Sequence, residues 1–209
     1  MSVFAKICGI RSRDDLERIC ALGPDAVGFV FWPKSPRHVA PERVGEWETP
    51  AGVRRVGVFV NPSDTELIEA VDRARLDVAQ LHRVDSGRRF DAAFPVKPAF
   101  WAALNADELA SPVRAPGFAF PVETLLIDAY DPQSVGGTGK TCDWKLAGEL
   151  VRASKRPVLL AGGLRPENVR RAVEAVRPWG VDVSSGVEAE PGRKDIAKVA
   201  AFLAALREG

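Results

Sequence analysis

Residues 157–186 read PVLLAGGLRPENVRRAVEAVRPWGVDVSSG, and this stretch contains the repeating unit of the chain. The apolar runs at 157–161 and 181–184 each have the length and composition of a buried strand. The residues between them place four apolar side chains on one helical stripe: Val169, Ala172, Val173 and Val176. A strand, a glycine turn, an amphipathic helix and a second strand together predict a parallel α/β unit.

The same alternation continues through the chain. Apolar runs predict eight strands, at residues 3–8, 25–30, 54–60, 77–81, 96–101, 123–128, 157–161 and 181–184. Helix start signals lie between them: Ser12 and Ser63 stand at N-cap positions, and Pro166 suits the first position of a helix. Eight strand-plus-helix units predict a (β/α)8 TIM barrel that spans residues 1–209 as a single domain, with a doubly wound open sheet as the main rival.

The overall composition excludes several classes of protein. Hydrophobic residues make up 46% of the chain and charged residues 27%, which is typical of a globular domain. The formal net charge of +1 provides no global field for nucleic acid or an anionic membrane. The N-terminus lacks signal-peptide features, and no apolar run approaches the roughly 20 residues of a membrane helix. We therefore expect a cytoplasmic protein, a monomer or homodimer, with no nucleic-acid or membrane partner.

The usage of cysteine and histidine agrees with a reducing compartment and argues against a metal site. The three cysteines, Cys8, Cys20 and Cys142, are odd in number and form no C-x-x-C pair. Only two histidines are present, and no acidic cluster has metal-ligand spacing. We expect no bound metal.

Candidate catalytic residues lie at the ends of predicted strands, where barrel enzymes place their active sites. Alternation puts Lys6 and Cys8 on one face of the first strand, so Cys8 is either a base whose thiolate a nearby cation favours or a small buried hydrophobe. Asp128 follows three aliphatic residues. It is either a general acid held protonated by burial or a loop cap, and Asp182 poses the same question.

Candidate binding residues follow the same strand ends. The glycine turns at Gly162-Gly163 and Ser184-Ser185-Gly186 come after the seventh and eighth strands, where barrels bind a substrate phosphate through backbone N–H groups. Arg37 is able to hold a carboxylate bidentately, although a solvated surface arginine is the alternative. His82 ends the fourth predicted strand and is a further candidate at the barrel mouth.

Residues 136–141, Gly-Gly-Thr-Gly-Lys-Thr, match the end of a nucleotide P-loop, but Ser134 stands where the first glycine of that motif belongs. This mismatch favours a flexible glycine lid in which Lys140 reaches an anion, rather than a nucleotide site.

Several sequence blocks, in this order, resemble one family. They are Lys-Ile-Cys-Gly at 6–9, Gly-Phe-Val-Phe at 28–31, Ser-Pro-Arg at 35–37, Val-Gly-Val-Phe-Val-Asn at 56–61, Gln-Leu-His at 80–82, Gly-Gly-Thr-Gly-Lys at 136–140, Asp-Trp at 143–144, Leu-Ala-Gly-Gly-Leu at 160–164, Val-Asp-Val-Ser-Ser-Gly-Val-Glu at 181–188 and Lys-Asp at 194–195. The chain resembles the phosphoribosylanthranilate isomerases of tryptophan biosynthesis. The resemblance implies a (β/α)8 barrel that converts N-(5-phosphoribosyl)anthranilate to 1-(2-carboxyphenylamino)-1-deoxyribulose 5-phosphate by an Amadori rearrangement, without metal or organic cofactor.

The resemblance also implies a role for individual residues. Asp128 would be the general acid that opens the ribose ring, and Cys8 the general base that removes a proton from the adjacent carbon. Arg37 would bind the anthranilate carboxylate. The loops at Gly162, Gly163, Ser184, Ser185 and Gly186 would bind the phosphate, while Lys6, His82 and Asp182 are further candidates for substrate contact.

The chain departs from the family pattern at Arg83, where glycine usually follows Gln-Leu-His, and at Cys142, where an aromatic residue usually precedes Asp-Trp. Residues 85–122 match poorly. These departures bear on loop details and on the role of His82.

Two alternative functions remain beside this one. A related isomerase of histidine biosynthesis performs the same rearrangement with two aspartates, and a bifunctional enzyme would accept both substrates. Cys8 in the base position argues against the isomerase of histidine biosynthesis. A catalytically silent barrel that only binds a phosphorylated ligand is the other alternative, and the presence of both Cys8 and Asp128 argues against it.

Overall fold

The structure is a computed structural model that describes residues 3–83, 87–88, 98–104, 120–127 and 144–207. Within these ranges, parallel strands close into a barrel in chain order from β1 to β8. The strands are β1 (Phe4–Cys8), β2 (Ala26–Val30), β3 (Arg54–Val60), β4 (Val78–His82), β5 (Ala99–Leu104), β6 (Val122–Ile127), β7 (Val158–Leu160) and β8 (Gly180–Val183). The closed parallel barrel confirms the predicted fold and excludes the open sheet.

Helices lie between the strands and cover the outside of the barrel. They are α1 (Arg13–Cys20), α2 (Pro41–Gly45), α3 (Asp64–Arg73), α4 (Trp144–Ala153), α5 (Val169–Val176) and α6 (Ile196–Arg207). After β8 come a 3₁₀ turn (Ser185–Val187) and a small antiparallel hairpin of β9 (Glu188–Glu190) and β10 (Arg193–Lys194). In the described ranges, no helix has the length and apolar character needed to cross a membrane.

The barrel interior is apolar in its lower part and becomes polar toward the carboxyl ends of the strands. Apolar side chains from six strands fill the lower interior: Ala26, Val56, Val78, Trp101, Leu126 and Leu159. A second apolar group, Cys8 with Val30 and Val58, lies nearer the carboxyl ends. Because the lower interior is filled, access to the barrel is from the carboxyl-terminal end, where the candidate residues are located.

The predicted starts of two helices are confirmed. The Ser12 hydroxyl accepts a hydrogen bond from the Asp15 N–H at 3.1 Å and caps α1. Ser63 and Glu66 form a complete capping box at the start of α3, in which each side chain accepts from the other residue's backbone N–H. These caps satisfy N–H groups that would otherwise lack partners at the first turn.

Two local predictions are wrong. Pro166 does not begin α5, which starts at Val169. The Asn168 side chain accepts from the Arg165 N–H at 2.7 Å and donates to the Gly163 carbonyl at 3.0 Å, so it holds the preceding residues in a turn. The fifth strand was expected at 96–101 but is Ala99–Leu104. Pro98 has no N–H to contribute to the sheet, and pairing with β4 starts one residue later.

Candidate active site

A cavity opens at the carboxyl-terminal end of the barrel. Counting only described residues, seven of the eight strands or their following loops contribute to its lining. Its polar and reactive lining residues are Cys8, Ser35, Arg37, Gln80, His82, Asp182, Ser184 and Ser185, together with backbone of Gly162, Gly163 and Gly186. The structure therefore brings most of the candidates from the sequence into one site.

A buried ion pair lies beside Cys8. Lys6 and Asp182 occupy directly opposite positions on β1 and β8, and the Lys6 Nζ donates to Asp182 Oδ1 at 2.9 Å. The Lys6 side chain is fully buried. Burial opposes its charge, but the Asp182 carboxylate and Cys8 together outweigh burial and raise the pKa of Lys6, so that Lys6 remains an ammonium. Lys6 thus supports the site from within the barrel, whereas Asp182 lines the cavity.

Burial and neighbouring charges act on the pKa of Cys8 in opposite directions. Burial raises the pKa of the Cys8 thiol, and the charges of Lys6 and Lys194 oppose this effect only in part. Loss of hydration costs the buried thiolate more than the neighbouring ammonium groups return, so the pKa of Cys8 lies above its usual value. The positive charge of Lys6 is already paired with the negative charge of Asp182.

Arg37 belongs to a cluster of three charged residues and is held by one of them, Glu188. Its Nε and Nη2 donate to the two carboxylate oxygens of Glu188 at 2.8 and 2.7 Å. Lys194 Nζ donates to the same carboxylate at 3.0 Å. The Arg37 side chain is only 12% exposed, so the alternative of a solvated surface arginine is wrong. Burial favours the neutral acid, but the hydrogen bonds from Arg37 and the charge of Lys194 outweigh it and lower the pKa of Glu188.

The two glycine-bearing loops pack against each other at the rim of the cavity. Gly162 and Gly163 have φ angles of 86° and 64°, in the left-handed region that glycine adopts without strain. A Cβ on Gly186 would lie 1.8 Å from the Leu164 carbonyl oxygen, so only glycine allows this close approach. The Ser184 hydroxyl is buried and has no hydrogen-bond partner among the residues that the structure describes. These loops leave polar groups available to a ligand.

Gln80 and His82 share a face of β4 and both line the cavity. Gln80 Nε2 lies 2.9 Å from His82 Nε2. Burial, together with the charges of Lys6 and Arg83, lowers the pKa of His82 to about 4, so the ring is neutral at pH 7 and accepts from the amide. The buried Gln80 Oε1 has no hydrogen-bond partner within the described part of the chain.

The comparisons with known proteins agree on one family. Residues 5–205 match the family model described as N-(5'phosphoribosyl)anthranilate (PRA) isomerase. The chain is 44% identical to the N-(5'-phosphoribosyl)anthranilate isomerase of Geobacter metallireducens over 205 residues, which covers 96% of this chain and 97% of the relative. The chain belongs to the N-(5'-phosphoribosyl)anthranilate isomerase family. It is thus an isomerase of tryptophan biosynthesis, which confirms the function predicted from the sequence.

Solved structures of this isomerase family have the same fold. Phosphoribosylanthranilate isomerase from Thermus thermophilus is 36% identical, with a TM-score of 0.84, and the similarity covers 100% of this chain and 99% of that one. Another solved isomerase is in complex with reduced 1-(o-carboxyphenylamino)-1-deoxyribulose 5-phosphate. It is 33% identical, with a TM-score of 0.79, over 99% of this chain and 100% of the other.

Some sequence candidates lie outside the described residues. These are Asp128, the glycine segment at 136–141 and Cys142. Leu126, two residues before Asp128, lines the cavity. Within the described ranges, no three histidine, cysteine or acidic side chains come together as ligands for a metal ion.

Three residues of the site had no role predicted from the sequence. Glu188, Lys194 and Gln80 all stand in blocks that carried the family resemblance, yet their contacts were not foreseen. Glu188 lies 151 positions from Arg37 along the chain, and sequence spacing cannot reveal such a pair. For Lys194 and Glu188 the available signal was a run of opposite charges after the last predicted strand.

Proposed function

We propose that this isomerase converts N-(5'-phosphoribosyl)anthranilate to 1-(2-carboxyphenylamino)-1-deoxyribulose 5-phosphate with Asp128 as general acid and Cys8 as general base. The observation that carries the proposal is the position of Cys8 in the cavity, next to the buried Lys6–Asp182 pair. A lone thiol in an apolar core would have no ammonium beside it. An ammonium next to a thiol is an arrangement that supports the thiolate when the reaction needs it.

The first step is opening of the ribose ring. Asp128 donates its proton to the ring oxygen, the bond between that oxygen and C1 breaks, and the nitrogen lone pair forms a protonated Schiff base at C1. A carboxyl group at the end of an apolar strand suits this role, because apolar surroundings favour its protonated form. Support for this position comes from Leu126, which lies on β6 two residues earlier in the chain and lines the cavity.

The second step is removal of the proton from C2. The Cys8 thiolate takes this proton, the C–H electrons form the C1–C2 double bond, and the Schiff-base nitrogen regains its lone pair. The resulting enolamine tautomerises to the ketone of the product. The protonated Schiff base itself brings a positive charge to Cys8, which compensates for the burial that raises the pKa of the thiol.

The two ends of the substrate are bound by different parts of the rim. Arg37 binds the anthranilate carboxylate, because a guanidinium matches a carboxylate in geometry and charge. The phosphate is bound by backbone N–H groups of Gly162-Gly163 and of Ser184-Ser185-Gly186, supported by the unpartnered Ser184 hydroxyl. His82 and Asp182 face the sugar between these two ends.

A substrate comparison tests the proposed reaction against its nearest rival. The disappearance of the fluorescence of freshly generated phosphoribosylanthranilate is followed, and the aminoaldose phosphate of histidine biosynthesis is assayed in parallel. We expect turnover of the first substrate only, because Arg37 recognises a ring carboxylate that the second substrate lacks. Turnover of both would indicate a bifunctional enzyme. Binding of a phosphorylated product analogue without turnover of either would leave only the ligand-binding barrel.

The role of Asp128 is tested by Asp128→Asn. General acid catalysis contributes about 10²–10⁴-fold, so we expect kcat to fall by a factor in this range while affinity for the reduced product analogue stays near the parent value. Asp14→Asn, at an exposed position on α1, is the matched control and should retain full activity. A parental kcat in Asp128→Asn would remove Asp128 from the mechanism.

We further propose that the enzyme works in the cytoplasm as a monomer or homodimer. Cys8 and Cys20, the cysteines within the described ranges, are both free thiols, which supports a reducing environment. Light scattering during size-exclusion chromatography distinguishes a 22.6 kDa monomer from a dimer of twice that mass.

A further inference from the structure

We propose that Glu188, held in place by Lys194, is a positioning residue that presents one edge of the Arg37 guanidinium to the carboxylate of the substrate. This inference rests on the proposed function of Arg37 and assigns a role to the hairpin of β9 and β10. Four observations support it.

The first observation is the way in which Glu188 contacts Arg37. The carboxylate takes the edge of the guanidinium formed by Nε and Nη2, at 2.8 and 2.7 Å. Among the residues that the structure describes, Glu188 is the only acceptor that bonds this guanidinium. A guanidinium carries five N–H groups in one plane, so the edge formed by Nη1 and the second N–H of Nη2 remains for a second carboxylate.

The second observation is the packing of the Arg37 side chain. Gly9, directly after β1, leaves the space that Arg37 occupies, since a Cβ there would lie 2.7 Å from Arg37 Cδ. The aliphatic part of the side chain is therefore confined while its head is fixed by Glu188. Holding an arginine in its binding conformation before the ligand arrives avoids most of the entropy that a mobile side chain would lose.

The third observation is that Glu188 is itself fixed. Lys194 pairs with Glu188 across the hairpin, and its Nζ donates to Glu188 Oε1 at 3.0 Å. The same Nζ donates to the Ser184 carbonyl at 2.9 Å. Lys198 Nζ donates to the Glu188 carbonyl at 2.9 Å and attaches the hairpin to α6. Lys194 thus links the carboxylate that positions Arg37 to the loop proposed to bind phosphate.

The fourth observation is the balance of charge. Arg37 and Lys194 are cations and Glu188 is an anion, and the exposed fractions of their side chains are 12%, 0% and 5%. Burial and the repulsion from Arg37 lower the pKa of Lys194, while Glu188 opposes both effects. Glu188 therefore allows two cations to lie close together in a buried place. The cluster retains one excess positive charge, which attracts an anionic ligand.

Binding of two matched ligands separates positioning of Arg37 from a general structural role. One ligand is reduced 1-(o-carboxyphenylamino)-1-deoxyribulose 5-phosphate, and the other is the same compound without the ring carboxylate. Their dissociation constants are measured by calorimetry for the parent, Glu188→Gln and Arg37→Ala. A charge-assisted pair with Arg37 should make the parent bind the carboxylated ligand about 10- to 100-fold more tightly.

We expect Glu188→Gln to reduce this preference to about 3-fold or less, whereas its affinity for the ligand without the carboxylate changes by less than about 3-fold. Glu190→Gln, at an exposed position of the same hairpin, is the matched control and should keep the parental preference. Because Glu188→Gln leaves the Lys194 charge buried without its partner, the double variant Glu188→Gln/Lys194→Met is measured as well, and it should show the same lost preference.

Three results would overturn the inference. An unchanged preference in Glu188→Gln shows that Arg37 needs no positioning. Equal loss of affinity for both ligands in Glu188→Gln and in the double variant shows a structural role only. If Arg37→Ala keeps the parental preference, the proposed function of Arg37 itself fails, and the inference fails with it.

Discussion

His82 ends β4 inside the cavity, beside Gln80 and within the field of the Lys6 ammonium. Burial and these charges lower its pKa from 6.5 to about 4. In the unfolded chain the ring binds a proton near its ordinary pKa, but in the folded protein it stays neutral until the pH is near 4. Between these two values the unfolded state binds more protons, so the free energy of unfolding decreases as the pH falls.

The size of this effect follows from the two pKa values. One pKa unit corresponds to about 1.4 kcal/mol, so the whole shift amounts to about 3 kcal/mol, and about 2 kcal/mol of it is lost between pH 7 and pH 5. This is a large part of the stability of a typical domain, about 5–15 kcal/mol. Replacement by glutamine removes the titrating group but keeps a polar side chain next to Gln80.

Urea unfolding at pH 7 and at pH 5 measures the effect. The parent should lose about 2 kcal/mol more than His82→Gln over this interval. The chain has one other histidine, His38, so His38→Gln is measured as the matched control for loss of an imidazole. Carboxylates that titrate in this range contribute equally to all three proteins. If the parent and His82→Gln show the same pH dependence, His82 does not carry the lowered pKa.

Two further predictions concern charged residues near the cavity. Asp182→Asn leaves the fully buried Lys6 ammonium without its partner and should lower the free energy of unfolding, measured by urea denaturation, by about 3–5 kcal/mol. Asp182→Asn combined with Lys6→Met should recover most of this loss. A small loss in the single variant would contradict the ion pair. Arg83 has a φ angle of 54°, a left-handed conformation that costs a residue with a Cβ about 1–2 kcal/mol. Arg83→Gly should therefore raise the unfolding midpoint temperature. Arg83→Ala keeps a Cβ and should give no gain. A gain of the same size in Arg83→Ala would instead point to the charge of Arg83.

The positions of the strands were largely predictable because each is a short apolar run between polar segments. β3 was predicted with its observed limits, Arg54–Val60, since charged residues and a turn mark both ends. β5 was misplaced by three residues, because apolar residues stand on both sides of Lys97-Pro98 and the sequence does not show where pairing begins. The start of α5 was misplaced because a side-chain hydrogen bond of Asn168, rather than Pro166, sets the preceding turn.

The site was predictable where a residue's position on its strand determines its direction. Alternation placed Lys6 and Cys8 on one face, and the structure has both of them next to Asp182. The contacts of Arg37 were not predictable, because its partner Glu188 belongs to a hairpin at the other end of the chain. The raised pKa of Cys8 was also beyond sequence reasoning, since it depends on how strongly burial outweighs the neighbouring ammonium.

The central claim is that Cys8 removes the proton in the isomerisation of phosphoribosylanthranilate. The most direct test is the kcat of the parent, Cys8→Ala and Cys20→Ala, followed by the loss of substrate fluorescence. Cys20 is also a buried free thiol but belongs to α1, outside the cavity lining, so its replacement controls for loss of a thiol alone. We expect Cys8→Ala to lose about 10²–10⁴-fold in kcat and Cys20→Ala to remain near the parent. A Cys8→Ala variant that turns over at the parental rate would contradict the account.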